Sequence, residues 1–308
     1  MRITDRLACE APSGGDPLID AVNAQAEASA KIKACGQQIS PAIYADLKAF
    51  YAPLQLKPPV DSALVERDLV YGPHPRHRLN LFAPAKRRVR CDGVLVFVHG
   101  GGFVSGDKDE APGAFFDNVG HWAVSHGMIG VTINYRLAPE HGWPAGSDDV
   151  GAAVDWVRQK VARYGGNPER VVLMGHSAGA THVAGFMADT QRSTMVAGCI
   201  CVSGIYDLRV VPVNPAYFGA DAALYPERSP LAGLARAPAP LLILVTEYDP
   251  AAIQRHAVNL CAARLEAVST LPHFAQLSGH NHFSSILHLN SADFTLSDEL
   301  LKFTARLW

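Results

Sequence analysis

The sequence lacks a charge excess of either sign, and this excludes one large class of partners. Its 308 residues carry 27 Lys and Arg against 29 Asp and Glu, which leaves a formal net charge of −2. A protein that binds nucleic acid through the phosphate backbone needs a clear cationic excess. We therefore expect no nucleic-acid partner.

Cysteines are few and do not follow the spacing of a metal site or a disulfide framework. The six cysteines are scattered along the chain, and none forms a CxxC pair. Zinc sites and disulfide-rich domains need closer and more regular spacing. We expect buried free thiols in a reducing compartment, and no metal site.

Long apolar runs are also missing. No stretch reaches the roughly 18 consecutive apolar residues that a membrane helix needs. The first fifteen residues, MRITDRLACEAPSGG, lack the apolar core of a secretory signal. Since 48% of the residues are apolar, a chain of this length can bury a full core. We expect a soluble cytoplasmic protein without a membrane partner.

Strand and helix patterns alternate along most of the chain. Alternation of this kind predicts an α/β fold, with a mostly parallel central sheet and helices on both faces. The first two strands read as an antiparallel pair. The predicted strands are Leu64–Tyr71, His77–Phe82, Gly93–Val98, Ile129–Tyr135, Val171–Met174, Gly198–Ser203, Leu241–Val245 and Phe274–Leu277. The predicted helices are 16–53, Ser147–Arg163, Ala178–Thr190 and a closing helix that begins at Ser297.

The strongest local motif is the GxSxG pentapeptide GHSAG at 175–179, between a predicted strand and a predicted helix. This strand–turn–helix context is the one in which a nucleophilic serine is raised above a sheet. We predict Ser177 as the nucleophile. The amide of Ala178 opens the next helix, so it can stabilise an oxyanion.

A second motif, HGGGF, follows the strand Gly93–Val98 and begins at His99. Consecutive glycines let the backbone approach a substrate closely, so the amides of Gly101 and Gly102 can donate to a developing negative charge. A phosphate-binding loop would need a following Lys-Ser/Thr pair, which is missing here.

A nucleophilic serine on such a strand–turn–helix segment, called a nucleophile elbow, needs a carboxylate and then a histidine later in the chain. We choose Asp249, which follows the strand Leu241–Val245, with Glu247 and Asp207 as alternatives. For the base we choose His282, with His280 as the alternative. In this hypothesis His282 deprotonates Ser177, and Asp249 fixes the tautomer of His282.

Together these motifs resemble the α/β-hydrolase superfamily, and more narrowly the hormone-sensitive-lipase-type esterases. The stretch YRLAPEH at 135–141 matches that group beside the HGGG loop and the GxSxG motif. Two positions depart from it: His176 stands where the group usually has Asp, and Ala180 stands where it has Gly. The GHSAG pentapeptide, SGIYDL at 203–208 and the His-Phe pair at 282–283 are similar to kynurenine formamidases.

The resemblance implies Ser177, Asp249 and His282 as catalytic residues, and Gly101, Gly102 and Ala178 as oxyanion donors. It also implies a helical cap in residues 1–60 over the acyl pocket and a catalytic domain in 61–308. A cap-like insertion is predicted at about 208–237, and Phe103 and Tyr206 are predicted to line the substrate pocket. The triad needs no cofactor, and a homodimer is compatible with this superfamily.

The sequence is compatible with three functions. The first is a carboxylesterase that cleaves small to medium acyl or aryl esters through an acyl-enzyme. The second is an arylformamidase that hydrolyses N-formylkynurenine with the same three residues. The third is a catalytically inactive hydrolase fold that binds a small molecule or a protein.

Overall fold

A computed structural model describes residues 17–57, 62–85, 91–110, 115–209 and 213–308. Its strands are β1 (Ala63–Val70), β2 (Arg78–Pro84), β3 (Gly93–Val98), β4 (Met128–Ile133), β5 (Val171–His176), β6 (Gly198–Val202), β7 (Leu241–Tyr248) and β8 (His273–Asn281). Its longer helices are α1 (Pro17–Cys35), α2 (Pro41–Tyr51), α3 (Asp117–Ser125), α4 (Ala145–Lys160), α5 (Ala178–Met187), α10 (Ala251–Val268) and α12 (Thr295–Thr304). The short helices are α6 (Thr190–Ser193), α7 (Pro215–Phe218), α8 (Tyr225–Arg228), α9 (Leu231–Arg236) and α11 (Ser284–Leu287).

The strands of the described residues form one sheet in the order β1-β2-β4-β3-β5-β6-β7-β8. Strand β2 runs antiparallel to β1 and to β4, whereas β3 to β8 run parallel. The predicted α/β class is confirmed. Strands β7 and β8 extend beyond the predicted bounds, because their last residues are polar and lie outside the apolar runs that predicted them.

Helices cover both faces of the sheet, and strand alternation decides which side chains each face receives. In β3, Val94 and Val96 point to the face covered by α4, α5 and α10, where they join one buried apolar cluster. Leu95 and Phe97 point to the opposite face, which α1, α2, α3 and α12 cover. The apolar runs of the central strands follow from this burial on both faces.

The predicted N-terminal helical segment forms two helices, α1 and α2. Ile32, Leu47 and Tyr51 are buried against the second face of the sheet. Residues 1–16 and 58–60 of the predicted cap lie outside the described residues. That this segment caps an acyl pocket stays a prediction.

The predicted insertion at 208–237 forms α7, α8 and α9 between β6 and β7. Residues 210–212 lie outside the described part of the chain. Tyr217 and Phe218 of α7 join Phe103 and Ala178 in a small buried cluster. The insertion therefore packs against the beginning of α5.

Two of the longer helices, α3 and α10, had no counterpart in the sequence prediction, and the closing helix begins at Thr295 rather than Ser297. In α3, Gly120 weakens the helical pattern of the sequence. A Cβ on Gly120 would lie 2.2 Å from the Phe82 ring, so close packing on β2 requires this glycine. Among the described helices, none is long and apolar enough to cross a membrane.

Candidate active site

Ser177 lies in the sharp turn between β5 and α5, with a backbone φ of 54° and ψ of −120°. Positive φ is unusual for a residue with a side chain. A Cβ on Gly175 would come within 2.4 Å of the Gly179 carbonyl oxygen, and a Cβ on Gly179 within 2.1 Å of the Val98 carbonyl oxygen. Close backbone packing therefore demands both glycines of the pentapeptide, and it holds the strained serine in place.

The structure brings Ser177, His282 and Asp249 into one hydrogen-bonded chain. The Nε2 atom of His282 lies 2.9 Å from Oγ of Ser177, and its Nδ1 atom lies 2.8 Å from Oδ1 of Asp249. A carboxylate can only accept a hydrogen bond, so the proton of His282 is on Nδ1 and Nε2 accepts from the Ser177 hydroxyl. In this tautomer, His282 is ready to receive the serine proton.

Asp249 is buried, and its environment keeps it ionised. Burial alone would raise the pKa of this carboxyl, but hydrogen bonds from His282, Ser203 and the Thr246 amide outweigh it and hold the pKa below its usual value. The Ser203 hydroxyl donates to Oδ2 at 2.6 Å, and the Thr246 N–H donates to the same oxygen at 2.8 Å. Sequence reasoning missed both donors. Ser203 ends the run GCICVS, and nothing in that pattern marks it as a partner of Asp249.

The glycine loop, residues 99–102, passes directly beside the turn that carries Ser177. An ideal Cβ on Gly100 would lie 3.2 Å from the Ser177 Cβ. The Gly101 carbonyl accepts from the backbone N–H groups of Val104 and Ser105, at 3.2 and 3.1 Å, and from the Ser105 hydroxyl at 2.9 Å. In a trans peptide the C=O and the next N–H point in opposite directions, so these bonds turn the Gly102 amide away from the loop interior.

The preceding peptide is fixed in a similar way. The Gly100 carbonyl accepts from the Tyr135 hydroxyl at 3.4 Å and lies 2.6 Å from Nδ1 of His99. Within the described residues, no acceptor takes the amides of Gly101, Gly102 or Ala178. The three amides that the sequence predicts as oxyanion donors therefore have no recorded acceptor in this part of the chain.

The alternative residues lie apart from this chain of hydrogen bonds. Glu247 is exposed near the end of β7. Asp207 pairs with Arg209 at 2.8 Å. His280 is buried, and its Nε2 atom lies 3.2 Å from Oδ2 of Asp293.

The two predicted pocket residues lie in different environments. The ring of Phe103 stacks on Tyr217 with centroids 4.7 Å apart, in the cluster that includes Ala178. The ring of Tyr206 packs in the main core beside β6 with Cys199 and Cys201. The structure therefore brings Phe103, but not Tyr206, into the cluster at the beginning of α5.

One group of side chains has the composition of a metal site. Ligand atoms of His280, His288 and Asp293 lie within 4.8 Å of one another. His288, however, uses both ring nitrogens: Nδ1 donates to the Ser284 carbonyl at 2.6 Å, and Nε2 accepts from the Leu296 amide at 3.1 Å. Since no lone pair of His288 is free, the group fits a hydrogen-bonded support for the end of β8 better than a metal centre.

Comparison with known proteins finds similarity to esterases. Residues 79–203 match the sequence profile of the BD-FAE family. The carboxylesterase NlhH of Mycobacterium tuberculosis is 42% identical over 100 residues, which cover 32% of this chain and 30% of that protein. The esterase LipQ of the same organism is 27% identical over 245 residues, 70% of this chain and 56% of that protein. The chain thus spans only part of the length of these relatives.

Solved esterase structures share the whole architecture. Esterase B from Lactobacillus rhamnosis superposes with a TM-score of 0.70 at 18% identity, covering 94% of this chain and 96% of that one. A thermostable esterase from Pseudomonas putida superposes with a TM-score of 0.67 at 18% identity, covering 97% and 98%. These likenesses establish the α/β-hydrolase fold, and the predicted resemblance to α/β-hydrolase esterases is confirmed.

Proposed function

We propose that this α/β-hydrolase is a serine carboxylesterase, which cleaves esters of small to medium acyl or aryl groups through an acyl-enzyme. One observation carries the proposal: the unbroken chain of hydrogen bonds from the Ser177 hydroxyl through His282 to Asp249. A serine hydroxyl is a weak nucleophile by itself, and an adjacent, correctly oriented base activates it.

In the first half of the reaction, Oγ of Ser177 attacks the carbonyl carbon of the ester while Nε2 of His282 takes the hydroxyl proton. The carbonyl oxygen becomes an oxyanion, which the amides of Gly101, Gly102 and Ala178 stabilise. When the tetrahedral intermediate collapses, His282 gives its proton to the leaving alcohol oxygen. The acyl group stays on Ser177 as an ester.

The second half repeats these steps with water. His282 takes a proton from a water molecule, whose oxygen attacks the acyl carbon, and the same amides stabilise the second oxyanion. Collapse releases the carboxylic acid, and His282 returns the proton to Ser177. Throughout, Asp249 holds the tautomer of His282 and offsets the charge of the imidazolium.

The similarity to proteins named carboxylesterase and esterase supports ester hydrolysis. The proposal includes residues 1–60 as a cap over the acyl pocket of the 61–308 domain. A contact supports this part, because Tyr44 of α2 lies with its ring 5.0 Å from that of Phe283, the residue after His282. The predicted homodimer belongs to the proposal too, and sedimentation equilibrium tests it.

The test compares kcat/KM on p-nitrophenyl butyrate and on N-formylkynurenine, with Ser177→Ala as the blank. We expect turnover of the ester and a kcat about 10⁶-fold lower in the variant, because residual activity then comes only from binding and the oxyanion donors. A formamide preference of a hundredfold or more would replace esters by aryl formamides as the substrate class. Equal rates for wild type and Ser177→Ala would overturn the proposal.

A further inference from the structure

His176, the residue directly before the nucleophile, reaches across to the base. Its Nε2 atom lies 2.8 Å from the backbone carbonyl oxygen of His282. The two residues are 106 positions apart in the sequence. The contact therefore joins the end of β5, which carries Ser177, to the segment after β8 that carries His282.

The contact fixes the tautomer of His176. A carbonyl oxygen can only accept, so Nε2 of His176 must carry a proton and donate it. Burial, with a smaller effect from the adjacent His282, lowers the pKa of His176 to about 3. At neutral pH the ring is thus a neutral donor with its proton on Nε2.

The His282 carbonyl has a second donor, and the two donors have different consequences. The Ser285 hydroxyl donates to the same oxygen at 2.7 Å. Ser285 is three residues from His282 and moves with the same segment. His176 belongs to the central sheet, so its bond ties that segment to the strand that carries the nucleophile.

We propose that His176 is a positioning residue, whose neutral imidazole holds the backbone of His282 at the correct distance from Ser177. This inference rests on the proposed function, because it assigns His282 the role of the base. A displacement of about 1 Å at a reacting group can cost on the order of a hundredfold in rate. A single well-directed hydrogen bond at this point is therefore enough to affect catalysis.

The neutrality of His176 matters because its ring lies close to that of the base. The ring centroids of His176 and His282 are 4.9 Å apart. A second positive charge at this distance would oppose the imidazolium that forms during the reaction. Asp249, at the end of β7, faces His282 as a negative charge, while Ser177 and Ser285 are neutral. His176 adds a hydrogen bond from β5 without adding a charge.

An aspartate at position 176 would behave differently here. Its carboxylate would face the His282 carbonyl with two acceptors and no donor, so the bond would be lost. A negative charge close to the imidazole of His282 would also favour its protonated form. Leucine at this position removes only the donor, whereas aspartate removes the donor and adds a charge, so a comparison of the two separates these effects.

The experiment uses three variants of the full chain: His176→Gln, His176→Leu and His176→Asp. Glutamine reaches about as far as Nε2 of histidine and keeps a neutral N–H donor, whereas leucine fills the space without one. We expect His176→Gln to keep kcat within about fivefold of wild type and His176→Leu to lose about 10- to 100-fold in kcat with little change in KM. In His176→Asp, the acid limb of the kcat/KM profile should move to higher pH. Thermal unfolding of each variant checks that it is folded.

Two kinetic results would overturn the proposal: a folded His176→Leu as active as wild type, or a folded His176→Gln as slow as His176→Leu. A measurement without substrate decides the matter if the variants do not fold. In wild-type protein labelled with ¹⁵N-histidine, NMR should show a ring with its proton on Nε2 that does not titrate between pH 5 and 9. Other buried histidines are also protected from solvent, so the contact with the His282 backbone identifies this ring as His176.

A ring at this position that titrates in that range, or carries its proton on Nδ1, would refute the proposal. The NMR result is independent of turnover. If the wild-type protein is inactive but shows the expected His176 signal, the proposed esterase function is refuted and the contact between His176 and the His282 carbonyl stands. The failure of the esterase proposal is thus distinguishable from the failure of the His176 proposal.

Discussion

The Ser203 hydroxyl donates a hydrogen bond of 2.6 Å to Oδ2 of Asp249, while His282 occupies Oδ1 of the same carboxylate. Ser203 is completely buried at the end of β6 and has a backbone φ of 54°. The carboxylate that we propose as the orienting group of the base is thus itself held by a donor at the end of the neighbouring strand. A hydrogen bond to a buried charge is worth about 1.5–3 kcal/mol.

Replacement of Ser203 by alanine should therefore lower both activity and stability. We expect Ser203→Ala to reduce kcat about tenfold, since Asp249 keeps its bonds from His282 and Thr246, and to lower the free energy of unfolding by about 1–3 kcal/mol. Ser193→Ala is the matched control, because Ser193 is equally buried and donates to the Thr190 carbonyl at 2.9 Å. The control should lose stability but keep kcat. A Ser203→Ala variant with wild-type kcat would contradict the role of this bond.

The glycine loop offers a second matched pair. A Cβ on Gly101 would lie 2.0 Å from the Ser105 carbonyl oxygen, whereas a Cβ on Gly102 meets nothing within 4 Å. Both residues have positive φ, 127° and 59°. Gly102→Ala should therefore cost only about 1–2 kcal/mol of backbone strain, whereas Gly101→Ala must displace the loop.

We expect Gly101→Ala to lose 10²- to 10³-fold in kcat, the usual cost of one lost oxyanion donor, and Gly102→Ala to lose far less. Steady-state kinetics on an activated ester, with circular dichroism to verify folding, provides the measurement. A loss for Gly101→Ala as small as the loss for Gly102→Ala would show that the loop tolerates the clash at Gly101, and would contradict the close approach to Ser105.

The choice of carboxylate is tested by two isosteric substitutions. Asp249→Asn keeps the shape but allows the wrong tautomer of His282, so kcat should fall by up to about 10⁴-fold. Glu247 is exposed and accepts from the Gly279 amide at 2.8 Å. Glu247→Gln should stay within about twofold of wild type. The reverse order of the two effects would transfer the role of orienting carboxylate to Glu247.

Stability should fall steeply in mild acid because several histidines are buried. Burial lowers the pKa of these rings to about 3 in His176, His182 and His288, and to about 4 in His99 and His256. In the unfolded chain their pKa is near 6.5. Between about pH 6.5 and 4 the unfolded chain therefore binds protons that the folded protein does not, and stability declines as the pH falls.

At pH 5 unfolding should take up close to five protons from these rings, which corresponds to a slope of up to about 7 kcal/mol per pH unit. Urea unfolding at pH 7, 6 and 5 measures this slope. His256→Gln removes one of the protons and should make the slope shallower by about one fifth. A free energy of unfolding that stays constant from pH 7 to pH 5 would refute the prediction.

The sequence by itself determined the features that depend on near neighbours in the chain. Continuous apolar runs marked the buried strands, because a parallel strand covered on both faces needs apolar residues at every position. The glycines around Ser177 marked the elbow, because only glycine tolerates backbone atoms at such short distances. The glycines after His99 marked a loop with free amides for the same reason.

The remaining features depended on contacts between distant segments. His282 is 105 residues from Ser177 and 33 from Asp249, so the pattern around either partner could not distinguish it from His280. Local sequence patterns also could not predict the bond between Ser203 and Asp249, the tautomer of His176 or the use of both ring nitrogens of His288. Hydrogen-bond direction and burial arise only when the strands are assembled side by side. Tertiary structure therefore decided how the predicted residues are held, while the sequence had already determined which chemistry they offer.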